Sequence, residues 1–153
     1  MDMDIAVVTT FAALILVAGS LGGGVYETTL IDRLWPDNPA LVQPSRGGIN
    51  RKRFWMPAHF AFEVLLGAAL WSAWTRPDAR RWLLAALVAH VAMRAWSFAY
   101  FIPRAIAFEK AGDFNADQHA RAMTWVRASG WRLLLDLAAA ASLCLAIIAL
   151  LAT

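Results

Sequence analysis

Four long apolar blocks constrain what this chain can fold into more than any other feature of the sequence. They cover residues 5–26, 54–74, 82–102 and 131–151, and shorter stretches that contain Pro, Gly and Arg separate them. Each block has about the 20 residues that a helix needs to cross ~30 Å of hydrocarbon. An alternating strand pattern is absent, and an open sheet would leave its backbone unsatisfied in lipid. The sequence therefore predicts an all-α fold, a single domain over residues 1–153 that spans the membrane as an up-down four-helix bundle.

The charge balance does not change this interpretation. The chain has 14 Lys and Arg residues against 11 Asp and Glu, which gives a formal net charge of +3. A basic chain can bind nucleic acid, but most of these cations lie at the borders of the apolar blocks, where membrane proteins usually place them. We therefore expect the lipid bilayer, and not nucleic acid, as a partner. The single cysteine, Cys144, lies inside the last block and is interpreted as a small hydrophobic residue.

The stretches between the blocks predict how the helices are connected. Residues 75–81 are few enough to force an antiparallel hairpin between the second and third helices. The two other connections are longer, and in an up-down bundle both emerge at the opposite end, which we call the long-loop side. The first of them, residues 27–53, contains three of the six prolines, so we expect an irregular segment that folds back as a lid.

The fourth helix is predicted to extend beyond the bilayer. Asn115 has the form of a helix N-cap, with Gln118 at the third helical position. Proline is absent from the chain after this point. We expect the helix to begin near Ala116 and to protrude from the membrane by several turns, with Gly130 as its weakest position.

Positive charge and small residues bear on orientation and assembly. The two long connections hold nine Lys and Arg residues, whereas the hairpin holds three. The positive-inside rule then places the long loops in the cytoplasm and both termini outside, and we expect the bacterial inner membrane. The small residues Ala18, Gly19, Gly22 and Gly23 fit close packing inside the bundle as well as the face of a homo-oligomer.

Ionisable residues inside the apolar blocks all fall in the half of the bundle next to the long loops. They are Glu27, His59, Glu63, His90, Arg94 and Asp136. A charge at the bilayer centre costs about 3 kcal/mol on insertion scales, so such residues are normally paired, hydrated or functional. At 100° per residue they fall on narrow stripes, which also contain Ser97, Phe101 and Arg104 on the third helix and Trp125, Ser129 and Arg132 on the fourth. The pattern predicts one polar pocket that opens toward the long loops.

Two other uses of these residues stay open at this point. Arg94 with Glu63 or Asp136 would form a structural ion pair that locks the bundle. Glu27, His59, Glu63 and His90 would supply nitrogen and oxygen ligands for iron, copper or zinc, although the sequence has neither a Glu-x-x-His pair nor paired cysteines. The cofactor is thus either absent or a transition metal, and haem held by histidine is disfavoured.

Three motifs resemble a known family. They are "GGVYE" at the end of the first block, "YFIPR" at the end of the third, and "WVRASGWRLLLDLAAAASLCLAIIAL" in the fourth helix. Together they are similar to the anthrone-oxygenase-like family of small four-helix membrane proteins. The matching positions are Tyr26, Glu27, Pro103, Trp125 and Arg132. The chain departs from the family pattern in having Ser129 and Arg104 where asparagine is expected.

The resemblance implies the oxidation of a polycyclic phenolic ketone by dioxygen. Such a reaction needs a base, a cation that stabilises the developing enolate, and a dry aromatic pocket. In this interpretation His59 is the first candidate for the base, with Glu63 or Asp136 to orient an imidazole; His90 is the second. Arg94 is the candidate for the enolate. The expected pocket lining is Tyr26, Trp55, Phe62, Trp96, Phe98, Phe101, Trp125 and Arg132.

We therefore expect a membrane-embedded oxidoreductase that acts on a lipophilic small molecule, aromatic and anthrone-like or quinol-like. The alternative is a binding or accessory module, or a carrier of protons or solutes, that uses the same charged residues. A proton pathway needs polar groups on both sides of the midplane, and the hairpin half has almost only Leu, Ala, Val and Ile. This favours a pocket with one mouth over a channel.

Overall fold

A computed structural model describes residues 4–152 of the chain. The ends of the predicted domain, residues 1–3 and Thr153, lie outside this range. Between these limits the chain is helical and has no strand, and four of its helical segments are long and apolar enough to span a membrane. The predicted all-α membrane-spanning four-helix bundle is confirmed.

Three of the four spanning segments, all but the second, are longer than the apolar blocks. The first helix is followed by a π-helical turn at Glu27–Ile31, and the third passes through a π-helical segment, Ser97–Phe101, into a further helix. We label the α-helices α1 (Ile5–Tyr26), α2 (Lys52–Ser72), α3 (Pro77–Trp96), α4 (Ile102–Lys110) and α5 (Ala116–Leu151).

The predicted start of the fourth helix is correct. Asn115 Oδ1 accepts a hydrogen bond from the Gln118 backbone N–H at 2.9 Å, and the Gln118 side chain accepts one from the Asn115 N–H at 3.0 Å. This reciprocal cap satisfies two N–H groups that have no partner within the helix. The 36-residue α5 is long enough to project beyond a bilayer, as predicted.

The predicted end of the third helix, at Ile102, is wrong. Pro103 does not end the helix, because the π-helical segment before it shifts the hydrogen-bond spacing and Pro103 falls in the first turn of α4. The wider i→i−5 bonding of this segment carries the helix up to Ile102, whose N–H donates to the Ser97 carbonyl, and the helix continues past Pro103. The third membrane segment therefore continues to Lys110 and carries its last turns toward the first long loop.

Packing around the bundle is uneven. α1 packs along both α2 and α5, and α3 packs along α5, but α2 and α3 make few contacts with each other. In the hairpin half the helices approach closely because the buried positions are mostly alanine. The core there contains Ala13, Val17, Leu66, Ala69, Leu83, Ala86, Ala139, Leu143 and Ala146.

The first long loop folds back over the other end of the bundle, as a lid would. Trp35 is fully buried, and its ring contacts those of Phe108 and Trp125 at centroid distances of 5.2 and 5.7 Å. The amide of Gln43 donates hydrogen bonds to the Phe108 and Gly112 carbonyls at 3.0 and 2.7 Å. Two short 3₁₀ helices, Pro39–Val42 and Pro44–Arg46, give this loop a fixed shape.

A substitution at Gly48 tests this loop structure. A Cβ at Gly48 would lie 2.1 Å from the Ala40 carbonyl oxygen, whereas one at Gly130 would meet nothing within 4 Å. Gly48→Ala should therefore destabilise the loop by about 2–3 kcal/mol, seen as faster proteolysis between residues 38 and 51. Gly130→Ala is the control and should stabilise α5 by up to about 1 kcal/mol. Equal proteolysis of the two variants would contradict the described loop packing.

Candidate functional site

A cavity of about 500 Å³ lies between the helices in the long-loop half of the bundle, and we call it the chamber. Its walls come from α1, α2, α5 and the helix that runs from α3 into α4. The site residues predicted from sequence that line it are Glu27, Trp55, His59, Glu63, Arg94, Phe98, Phe101, Trp125, Arg132 and Asp136. The predicted stripes thus converge on one space.

Glu63 joins α2 to α3 at the edge of the chamber. Its Oε1 lies 3.1 Å from Arg94 Nε and 3.2 Å from His90 Nε2. The partner of Arg94 is thus Glu63 and not Asp136. His90 lies behind this pair, outside the chamber lining, and packs on the ring of Phe62 at 4.7 Å between centroids. His90 is therefore placed to position Glu63 and is not exposed to a molecule in the chamber.

His59 lines the chamber with its ring stacked on Trp55, 5.6 Å away and inclined by only 21°. Within residues 4–152 no group forms a hydrogen bond with its imidazole. Of the two carboxylates expected to orient an imidazole, Glu63 contacts that of His90 and not that of His59, because it turns to His90 and Arg94. Stacking on Trp55 fixes the plane of the imidazole and leaves its nitrogens free.

Arg132 projects from α5 into the aromatic part of the chamber. Its Nη1 and Nη2 donate hydrogen bonds to Ser97 Oγ at 3.3 Å and Ser129 Oγ at 2.8 Å. Its guanidinium carbon lies 4.1 Å from the centroid of the Phe101 ring, within range of a cation–π contact. No carboxylate of the described residues lies within 4 Å of it. Asp136, one turn further along α5, is buried and lines the chamber without an ion pair in this part of the chain.

A polar cluster joins the end of α1 to the start of α2. Glu27 accepts hydrogen bonds from Arg51 Nη1 at 3.3 Å and from Trp55 Nε1 at 2.8 Å. The Arg51 guanidinium also lies 5.3 Å from the Trp125 ring centroid. Sequence reasoning assigned Arg51 only to the topology of the loop. Its position one residue before α2 and one turn before Trp55 is the signal that could have placed it at the site.

The predicted metal set is not assembled as a site. Among residues 4–152 there is no group of three or more His, Cys, Asp or Glu side chains arranged to hold a metal ion. Glu27 is held by Arg51 and Trp55, while Glu63 is held by Arg94 and His90. Both carboxylates thus already have cationic or N–H partners, which a metal ion would have to replace.

Three residues predicted to line the pocket lie elsewhere. Tyr26 is 58% exposed on the outside of the bundle, and Phe62 belongs to the apolar core below His90. Trp96 packs on the outer side of Phe101, at 5.3 Å between centroids. Arg104 also turns outward and lies over the Tyr100 ring. The π-helical segment changes the angular register after Trp96, which accounts for the departure of Arg104 from the predicted stripe of the third helix.

Asp32 is a buried acid that sequence reasoning missed. It lies just beyond the first membrane segment, is 1% exposed, and accepts a hydrogen bond from Trp35 Nε1 at 2.9 Å. Burial and the negative charge of Glu27 raise the pKa of Asp32 to about 6. The side chain therefore takes up a proton in weakly acidic solution, which makes the stability of the folded loop depend on pH.

The raised pKa of Asp32 predicts a pH window of stability. Because the folded state holds this proton more tightly than the unfolded chain, the stabilisation is complete below about pH 4 and is lost as pH rises through about 6. Asp32→Asn should remove this pH-dependent loss of stability. Its free energy of unfolding should therefore rise relative to that of the wild type between pH 4 and 7, by about 3 kcal/mol at most. Thermal unfolding in detergent measures the difference. Asp113→Asn, at an 84% exposed side chain, is the control; a pH-independent difference for Asp32→Asn would contradict the assignment.

Comparison with known proteins identifies no relative of this chain. No protein-family model, curated protein or solved structure matches the chain. The resemblance to the anthrone-oxygenase-like family therefore stays a prediction from the three sequence motifs. The geometry of the chamber and the chemistry of its lining residues carry the functional argument.

Proposed function

We propose that the chain is a membrane-embedded oxidoreductase that binds a lipophilic aromatic molecule of the anthrone or quinol type in the chamber and oxidises it with dioxygen. One observation carries the proposal. An imidazole without a hydrogen-bond partner and a guanidinium without a carboxylate partner, both taken over the described residues, line the same aromatic-walled cavity. This pairing of a free base with a free cation suits deprotonation of a weakly acidic substrate.

His59 is proposed as the general base. Stacking on Trp55 holds its plane, and its nitrogens are not engaged by any described residue. A neutral imidazole in this state accepts a proton from an acidic methylene or a phenolic hydroxyl. His90, the second candidate, has its Nε2 engaged by Glu63 and lies outside the lining, so it serves here as a positioning residue.

Arg132 is proposed as the cation that stabilises the anion. Sequence reasoning assigned this role to Arg94, but the contact of Arg94 with Glu63 at 3.1 Å already neutralises its charge. Among residues 4–152, Arg132 forms hydrogen bonds only with two neutral hydroxyl groups, so its charge remains available to an enolate or phenolate oxygen. Phe101 and Trp125 would pack against the rings of the bound molecule.

The redox chemistry balances with dioxygen as the oxidant. Removal of a proton from an anthrone methylene gives a carbanion that is delocalised over the aromatic rings. A C–O bond forms between this carbon and dioxygen, the resulting peroxide anion takes the proton back from the base, and loss of water from the hydroperoxide leaves a carbonyl group. Two C–H bonds are replaced by one C=O bond, and the second oxygen atom leaves in water. A quinol would instead give up two electrons and two protons to form the quinone and hydrogen peroxide.

The proposed setting is the bacterial inner membrane, with the long loops in the cytoplasm. All four helical segments that could span a membrane line the chamber in the long-loop half of the bundle, and the long-loop end carries most of the Lys and Arg residues. The positive-inside rule then places the half of the bundle that holds the chamber on the cytoplasmic side. A lipophilic substrate would partition into the bilayer before it reaches the chamber.

Turnover by a His59 variant tests the proposal. His59→Asn keeps a polar side chain of similar size but removes the base, so oxidation of anthrone should fall by about a hundredfold or more. Because His59 makes no hydrogen bond with the described residues, the unfolding temperature should change little. Oxygen uptake and anthraquinone absorbance, corrected for spontaneous oxidation, measure the reaction with protein in lipid nanodiscs.

His119→Asn is the matched control for this experiment. His119 is exposed at the start of α5 and pairs with Asp37, away from the chamber. This variant should oxidise anthrone at the wild-type rate. Wild-type rates in His59→Asn would contradict the assignment of the base, and binding of anthrone without any oxygen uptake by the wild type would favour a non-catalytic binding module.

A further inference from the structure

A second cavity, which we call the side groove, lies between α2 and α3 on the outer face of the bundle. It has a volume of about 530 Å³. Its walls are apolar over most of their length, with Leu66, Gly67 and Leu70 on α2 and Leu87 and Val91 on α3. The groove exists because these two helices, although adjacent in the chain, make few contacts with each other.

The side groove adjoins the chamber and shares part of its lining. Glu63, Arg94 and Phe98 line both cavities. The ion pair of Glu63 and Arg94 thus stands at the junction, with 42% and 26% of the two side chains exposed. A molecule that occupied both spaces would have its polar part on the chamber side of this pair and its apolar part in the groove.

The side groove runs along the direction in which the helices cross the membrane. From Glu63 to Leu70 it follows α2 for about 10 Å toward the hairpin, at 1.5 Å per residue. It therefore runs from the polar half of the bundle into the apolar half. Gly67 and Val91 are exposed along it, so its open side faces the hydrocarbon of the bilayer.

We propose that the side groove holds the linear hydrocarbon tail of the same molecule whose aromatic head occupies the chamber. The substrate class is then an aromatic head with an alkyl or prenyl chain. This inference rests on the proposed function, because that function places an aromatic head in the chamber. A tail attached to such a head has to leave the chamber, and the gap between α2 and α3 offers it an apolar path into the lipid.

A glycine substitution tests the proposal without disturbing the fold. A Cβ at Gly67 would meet no atom within 4 Å, so Gly67→Leu fits the helix and places its side chain in the groove. Gly19→Leu is the matched control, since a Cβ there also meets nothing within 4 Å and Gly19 is on α1, outside both cavities. The probes are a methylated hydroquinone and the same head with a decyl chain. Quenching of tryptophan fluorescence in nanodiscs measures binding, and empty nanodiscs correct for partitioning.

Gly67→Leu should weaken binding of the decyl compound by about tenfold, because the chain loses its apolar contacts, and should leave the tailless compound unchanged. Gly19→Leu should change neither. Equal binding of the decyl compound to the wild type and to Gly67→Leu would overturn this inference but not the proposed function. A change of oligomeric state in Gly67→Leu relative to the wild type, measured by light scattering, would also overturn it, because a second copy of the chain would then cover the groove. Failure of the wild type to bind either compound would overturn the proposed function as well.

Discussion

The contacts that Glu63 makes with Arg94 and His90 are the interaction on which the rest of the site depends. A carboxylate and a guanidinium at membrane depth are costly when isolated, so each has to find a partner inside the bundle. Glu63 satisfies both Arg94 and His90 through one oxygen atom, at 3.1 and 3.2 Å. Since α2 and α3 make few other contacts, this cluster joins the two helices where the chamber meets the side groove.

The two ends of the bundle are built in different ways, and the difference creates the chamber. In the hairpin half, small residues such as Ala13, Ala69 and Ala86 let the helices approach closely and leave no need for polar groups. In the long-loop half, large rings keep the helices apart, and the buried rings of Trp35 and Trp125 close the end of the bundle. The chamber lies between this aromatic closure and the alanine-rich core.

Aromatic rings and hydroxyl groups also explain why the Arg132 cation remains chemically available. Arg132 rests on Phe101 and bonds to Ser97 and Ser129, none of which cancels its charge. Arg51 contacts Trp125 but is paired with Glu27. Among the described residues, three cations of the chamber lining are paired with carboxylates, whereas Arg132 is not. A substrate that develops negative charge is suited to Arg132.

The sequence allowed the helices and their common polar face to be predicted, because hydropathy, helical periodicity and the Asn115 cap are local properties. The capping box was confirmed in detail, whereas the end of the third helix was wrong, because a π-helical segment before Pro103 has no clear sequence signature. The choice between His59 and His90 as the partner of Glu63 also could not be predicted. It depends on the distance between α2 and α3, which long-range packing sets. Asp32 was missed for the same reason, since its burial requires the loop to fold over the bundle.

The central claim is that a polar chamber opens on one side of an otherwise apolar bundle. Its most direct test is the labelling of introduced cysteines by a membrane-impermeant thiol reagent, in a Cys144→Ala background. Ser129 lines the chamber, and Ser142 is half-buried on the same helix about 20 Å away, in the apolar half. The account predicts that Ser129→Cys reacts from the long-loop side only and that Ser142→Cys does not react from either side. Equal protection of both positions, or labelling of Ser142→Cys, would contradict it.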